Sequence, residues 1–309
     1  MTDQNSKLSG GDATKIDAIK IDGRAIAQKL RDNLSKAVVN LQQLHNITPT
    51  LAVVLVGNDP ASEIYVRMKA KQTKEVGMRS IEHRLPADTS EEAVLELVEK
   101  LNQDDGVNGI LVQFPVPKHI SQQKIIELID PSKDVDGLHP LNAGKLAAGV
   151  DGLVSCTPLG CIKLAKHQLG DLTGLNAVVI GRSNLVGKPV GQLLLRENAT
   201  VTICHSRSRE IEKICRNADL LVVAVGRANM VKADWVKKGA CVIDVGMNRV
   251  TQEDNKEKLF GDVDAQQVIK VAGSLTPVPG GVGPMTIACL LHNTLQATCA
   301  QHHIEMPKL

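Results

Sequence analysis

Tyr65 and Lys69 stand at i and i+4 within residues 61–76, a stretch that follows Asn58-Asp59-Pro60 and precedes Gly77. An Asx cap, a proline at the first position and a closing glycine predict a helix of about four turns, with both side chains on one face. If that face meets a cleft, partial desolvation lowers the lysine's pKa and equips it for general acid–base chemistry. Lys71 and Lys74 keep a plainer alternative open, a solvated basic face. Gln113 ends an apolar run and is followed by Phe114-Pro115-Val116-Pro117. The prolines stop a strand there and leave Gln113 at its carboxyl end, where open α/β sheets bind ligands. Asp134 and Asp136 share the turn Asp134-Val135-Asp136-Gly137. Paired carboxylates invite a metal, but no EF-hand spacing surrounds them, and local backbone hydrogen bonding is the competing reading.

A second chemical cluster is GRSNLVGKP at 181–189, directly after the apolar run 177–180. A glycine loop between strand and helix lets the backbone approach a pyrophosphate at the helix N-terminus, and Pro189 suits the first turn of that helix. The loop is not GxGxxG, because Ser183 takes the second position and Gly187 comes one residue late. It is not a P-loop either, since five residues separate the glycines and Pro189 stands where a Mg²⁺-binding hydroxyl is required. Taken alone, the loop leaves an ordinary tight turn open. The next apolar run, 200–204, ends in His205-Ser206-Arg207-Ser208, with no acid to hold a ribose 2′-hydroxyl. Hydroxyls and guanidinium groups, Arg182 included, suit a 2′-phosphate, so NADP is expected over NAD; the alternative is a solvated basic turn.

Rigid elements must position these groups. Runs 51–56 and 109–113 are continuously apolar and bracket 91–102, whose apolar residues recur at helical spacing. Another strand is expected near 81–85. Continuous short runs separated by a helix indicate buried parallel strands. The second half repeats the rhythm, with strands expected at 177–180, 200–204, 220–225 and 241–245 and helices near 189–197, 210–217 and 233–238. Such a series makes the fold class α/β and predicts a doubly wound parallel sheet with right-handed crossovers. A domain boundary is expected near 156–158. The stretch 275–284, LTPVPGGVGP, is too rich in Pro and Gly for an element interior and reads as a rigid loop ahead of a helix at 285–297.

Composition excludes several classes. The formal net charge is +2, and Tyr65, Phe114, Trp235 and Phe260 are the only aromatics. Neither a basic patch nor a base-stacking platform follows, so no nucleic-acid partner is expected. The seven cysteines show no CxxC pair and the nine histidines no HExxH, so the thiols are expected reduced, in a cytoplasmic protein, and no metal site is expected. No apolar run approaches the ~20 residues that span a membrane. Residues 1–18 are polar and read as a disordered extension.

Six motifs resemble, in order, those of the bacterial FolD family of bifunctional methylenetetrahydrofolate dehydrogenase/methenyltetrahydrofolate cyclohydrolases. They are YVRMK at 65–69, VQFPVP at 112–117, KDVDG at 133–137, GRSNLVGKP at 181–189, DVGMNR at 244–249 and TPVPGGVGPMT at 276–286. The resemblance runs from about residue 19 to about residue 300; Phe114 replaces a common leucine, and residues 1–18 have no expected counterpart. It implies two α/β domains in a homodimer, with folate and NADP in a cleft between them. Residues 19–156 would bind folate, completed by a C-terminal helix over 285–309, and 157–284 would form the Rossmann-like NADP domain. Lys69 takes the place of the catalytic lysine, Tyr65 of the tyrosine that stacks on folate, Gln113 of the lysine's hydrogen-bond partner and Asp136 of the pterin carboxylate. Gly181, Arg182, Ser183, Ser206 and Met247 fall on cofactor positions, to which the residue reading adds Arg207. Pro279, Gly280 and Gly281 fall on the cleft wall that contacts substrate. The implied activity is NADP-dependent oxidation of 5,10-methylenetetrahydrofolate followed by hydrolysis to 10-formyltetrahydrofolate. The alternatives are a monofunctional dehydrogenase, against which Lys69 and Gln113 argue, and a catalytically silent NADP-binding protein.

Overall fold

The computed structural model describes residues 17–251 and 257–309. The expected extension over 1–18 therefore lies outside the described residues, apart from Asp17 and Ala18. The first half runs β1 (Ile19–Lys20), α1 (Gly23–His45), β2 (Thr50–Val56), α2 (Pro60–Glu75), β3 (Arg79–Leu85), α3 (Glu91–Gln103), β4 (Gly109–Val112), α4 (Gln122–Leu128) and α5 (Pro140–Ala147). The second half continues with α6 (Cys156–Leu169), β5 (Asn176–Ile180), α7 (Gly187–Arg196), β6 (Thr200–Cys204), α8 (Ile211–Cys215), β7 (Leu220–Val223), β8 (Cys241–Asp244), β9 (Asn248–Thr251), β10 (Glu257–Phe260), α9 (Ala265–Val268), β11 (Ser274–Leu275) and α10 (Val282–Gln301).

Two parallel sheets result. One is three-stranded, in the order β3-β2-β4; the other is six-stranded, in the order β1-β11-β8-β7-β5-β6. Strands β2, β4, β7 and β8 are buried along their whole length, which is why their sequences are continuously apolar rather than alternating. In the larger sheet β5 lies between β6 and β7, so successive crossovers leave it in opposite directions and open a crevice at its carboxyl end. A separate antiparallel pair, β9 and β10, follows β8.

One element was not expected from the sequence, and two expectations needed correction. β1 pairs with β11 and so joins the larger sheet, although it precedes the smaller one in sequence. The segment expected as a helix over 233–238 is one 3-10 turn, Ala233–Trp235. A lone turn with Gly239 at φ +83 just beyond it cannot repay helix nucleation. The proline-rich loop yields to helix at Val282, so Pro284 falls within the first turn of α10, where its missing N–H removes no helix bond. α10 buries most of its surface against α6 and α1 and touches β2 and β4.

Candidate active site

Lys69 rides on α2, and the start of that helix is set by Asp59, whose side chain accepts the Ser62 N–H at 2.8 Å, with Pro60 in the first turn. Gly77, at φ +85, follows its end. Lys69 Nζ donates to Gln113 Oε1 at 2.9 Å, just past β4. Gln113 Nε2 donates in turn to Phe114 O at 2.7 Å, which fixes the amide with its oxygen toward the lysine. Burial lowers the Lys69 pKa, and the charges of Asp136 and Cys156 partly oppose that shift. The solvated-face alternative applies instead to Lys71, which is 76% exposed and pairs with Glu75 one turn on.

The two aspartates of the turn have different surroundings. Asp134 is buried and accepts from Leu138 N, His139 N and Asn142 Nδ2 at 3.1, 2.8 and 2.9 Å. Burial pushes its pKa up to about 6. Asp134 thus shapes the loop, while Asp136 stays partly open, within electrostatic reach of Lys69. Val135, between them, is held through its carbonyl by Cys156 Sγ at 3.2 Å and Asn293 Nδ2 at 2.9 Å. Burial raises the Cys156 thiol pKa well above its ordinary value, so it serves as a packed donor rather than a nucleophile. No cluster of His, Cys, Asp and Glu able to hold a metal occurs among the described residues.

The glycine loop occupies the crevice beside β5. Gly181 N donates to Cys204 O at 2.9 Å, which sets the loop after β5 against the end of β6. Ser183 Oγ accepts from Val186 N at 3.1 Å, curling the loop into α7. There is no room for side chains at its glycines: a Cβ on Gly187 would lie 2.1 Å from Gly181 O. Backbone packs on backbone at both glycines, the close approach that a pyrophosphate-binding turn between strand and helix uses. After β6, residues 205–208 close on themselves, with Ser208 N donating to His205 O at 2.8 Å, and turn Ser206 and Arg207 outward. Arg182 is also exposed, on the neighbouring loop. A dinucleotide carrying a 2′-phosphate fits this set.

Among the contacts that join the halves, two involve expected site residues. Tyr65 Oη lies 3.4 Å from Met247 Sδ, linking α2 to the loop after β8. Gly23, at the start of α1, is so close to the Pro279-Gly280-Gly281 turn that a Cβ there would fall 1.8 Å from Gly281 O. Tyr65, Lys69, Gln113 and Asp136 thus form one group, and Gly181, Arg182, Ser183, Ser206 and Arg207 another. Met247 lies at the contact between the halves. Cys156 and Asn293 were not expected from sequence: both act on the Val135 carbonyl, far away in the chain, and carry no local spacing signal.

Comparison with known proteins agrees with this geometry. Residues 21–136 match the family model of the tetrahydrofolate dehydrogenase/cyclohydrolase catalytic domain, and residues 155–302 match that of the family's NAD(P)-binding domain. The chain is 60% identical over 287 residues to the bifunctional protein FolD of Paramagnetospirillum magneticum, an alignment covering 93% of this chain and 97% of that one. It superposes on the crystal structure of the bifunctional FolD of Campylobacter jejuni with a TM-score of 0.87 at 44% identity, covering 92% and 99% of the two chains. The Trypanosoma brucei enzyme, solved with NADP and an inhibitor, gives a TM-score of 0.86 at 37% identity, covering 91% and 97%. On its motifs, its fold and these relatives, the chain belongs to the tetrahydrofolate dehydrogenase/cyclohydrolase family.

Proposed function

We infer that this chain is a bifunctional enzyme: it oxidises 5,10-methylenetetrahydrofolate to 5,10-methenyltetrahydrofolate with NADP and hydrolyses the product to 10-formyltetrahydrofolate. The observation that carries this reading is the Lys69–Gln113 hydrogen bond at the end of β4, joined through Tyr65 and Met247 to the sheet that bears the glycine loop. Bound NADP supplies the hydride acceptor. The protein's task in that step is to align two ligands in one cleft, with Tyr65 against the folate ring and Asp136 anchoring the pterin by paired hydrogen bonds. Pro279, Gly280 and Gly281 line the wall beside them. In the second step water adds to the methenyl carbon, a ring C–N bond opens and a proton is released. Lys69 moves those protons, and Gln113 holds its amine in place.

The domain reading that goes with this function has residues 19–156 as the folate-binding unit, lending β1 to the larger sheet and closed by α10, which ends at Gln301 rather than running to residue 309 as expected. Residues 157–284 form the cofactor unit. An assay with methylenetetrahydrofolate and NADP, repeated with NAD, tests the reaction. Equal or better catalytic efficiency with NAD overturns the cofactor assignment. Removing Arg207 or Arg182 should weaken NADP about tenfold or more, since a charge-assisted phosphate contact contributes roughly 1.5–3 kcal/mol. NAD affinity should stay as it was; parallel loss of both would place the guanidinium elsewhere than on the 2′-phosphate.

We also propose a cytoplasmic homodimer. The described chain holds seven unpaired, buried thiols, which suits a reducing compartment. Strand β6 is an edge of the larger sheet, with Ile203 38% exposed on it and Leu195 53% exposed on α7 beside it. Such an edge invites a second copy. Light scattering at micromolar concentration should report a mass near twice 33.2 kDa. A fully active monomer contradicts the dimer.

A further inference from the structure

Asp262 follows β10 and is wholly buried, at 0% exposure. Its carboxyl group gathers the loops that leave β7 and β8. Oδ2 accepts from Val225 N at 2.7 Å and Gly226 N at 3.0 Å; Oδ1 accepts from Arg227 N at 2.8 Å and Asn248 Nδ2 at 2.9 Å. Asp244, at the end of β8, fixes Asp262 in turn. Its Oδ1 accepts from Gly246 N and Asp262 N, both at 2.9 Å, and its Oδ2 from Val263 N at 3.0 Å. Asp244 N donates to Thr276 Oγ at 2.8 Å, which adds the strand-end before the Pro-Gly turn. The glycines here are dictated by these carboxyl groups: a Cβ on Gly246 would lie 2.3 Å from Asp262 Oδ1, and one on Gly261 would lie 1.8 Å from Asp244 Oδ2.

Two acids buried side by side are a costly way to fill space, because each lone pair must find a donor. An apolar side chain would pack the same volume but could not hold three consecutive backbone N–H groups and a side-chain amide in one register. The place where this is done matters. The adenosine end of a dinucleotide goes to β6, across β5, so its other end runs toward β7 and β8. Met247, which touches Tyr65, lies between Gly246 and Asn248, both of them bound by this network.

We propose that Asp262 is a positioning residue for the dehydrogenase step, its carboxyl group holding loops 225–227 and 246–248 in the register that receives the nicotinamide end of the cofactor. The role rests on the NADP-dependent reading given above. Asp262→Asn tests it without changing the residue's volume. Each oxygen accepts two N–H groups, so whichever way the new amide turns, its NH₂ faces two donors and the loops must part. The dehydrogenase kcat should fall about 10²-fold, the usual consequence of a misplaced reacting partner. NADP affinity should fall as well. Affinity for adenosine 2′,5′-bisphosphate, which reaches only the glycine loop and the 205–208 turn, should be unchanged. Hydrolysis of preformed methenyltetrahydrofolate should also be unchanged. Asn248→Ala removes one donor only and should show the same split more weakly, which keeps the test readable if the amide variant does not fold. Normal NADP kinetics in Asp262→Asn overturns the proposal, and so does an equal loss in all readouts, which marks Asp262 as general fold support. An unmodified protein that binds NADP but oxidises no methylenetetrahydrofolate sinks the functional reading; the split between NADP and bisphosphate binding then still decides the role of Asp262.

Discussion

Replacing Lys69 with methionine should slow the cyclohydrolase reaction about 10²–10⁴-fold, the usual contribution of one positioned acid–base group, and slow the dehydrogenase reaction far less. Hydride transfer expels no proton at the reacting carbon, so it needs alignment but no obligatory base. Water addition needs a group that takes up and returns protons. Lys69 is equipped for this by two features of its setting. Burial lowers its pKa below the ordinary 10.5, raising the share of neutral amine at working pH. Gln113 Oε1, which can only accept, commits one N–H and leaves the lone pair free for the cleft. Methionine keeps the length and apolar stem but carries no proton. Methenyltetrahydrofolate should therefore accumulate during turnover and be seen as a rising absorbance that the unmodified enzyme suppresses. Stability should not fall with it. A lysine whose folded pKa lies below its unfolded value weakens the fold at neutral pH, and stability at this site rises as pH climbs from the folded value toward 10.5. The variant escapes that penalty and should lose that rise in a pH series of unfolding curves. If a folded Lys69→Met protein keeps both activities, the lysine is no part of the reaction.

Much of this arrangement was legible because its signals are local. The start of α2 could be read from Asp59 and Pro60, and the shared face of Tyr65 and Lys69 from their spacing. β2 and β4 are buried on both faces, so their continuous apolar runs identified a parallel sheet. The glycine loop followed its strand directly. What stayed hidden depends on contacts between distant segments. β1 is two exposed residues whose only claim to be a strand is pairing with β11 at the other end of the chain. Lys69 could not be told from Lys71 by spacing. The difference is that one reaches Gln113, 44 positions away, and the other its own helix. Asp134 and Asp136 form a symmetric pair in sequence, and only burial and three hydrogen bonds separate the loop-shaping Asp134 from Asp136, which stays partly open. Asp262 falls outside every motif that carried the family resemblance, and three of its four partners are backbone N–H groups, which leave no mark in the residue types around them.

Gly181→Ala should produce the reverse of the lysine variant: a collapse of the dehydrogenase reaction with the cyclohydrolase reaction preserved. Gly181 has φ +125, a conformation that strains an alanine by about 1–3 kcal/mol. The added Cβ would also lie 2.2 Å from Ala224 O, a backbone atom that cannot swing aside. The loop has to move, and it has little room, because its backbone already abuts Gly187 and is tied to Cys204 O. A shift near 1 Å in a cofactor cradle costs about 10²-fold in rate. NADP and adenosine 2′,5′-bisphosphate should both bind weakly, unlike in Asp262→Asn, since the damage is at the phosphate end. Lys69, Gln113 and Asp136 belong to the smaller sheet and its loops, and the glycine loop meets that unit at Leu185, whose carbonyl accepts from Ser155 Oγ at 3.0 Å, four residues beyond Gly181. Preformed methenyltetrahydrofolate should therefore still be hydrolysed at close to the normal rate. Normal NADP kinetics in this variant would remove the loop from the cofactor site. Loss of hydrolysis alongside oxidation in a folded protein would mean that both reactions depend on the glycine loop, and that the division of labour between the two sheets is wrong.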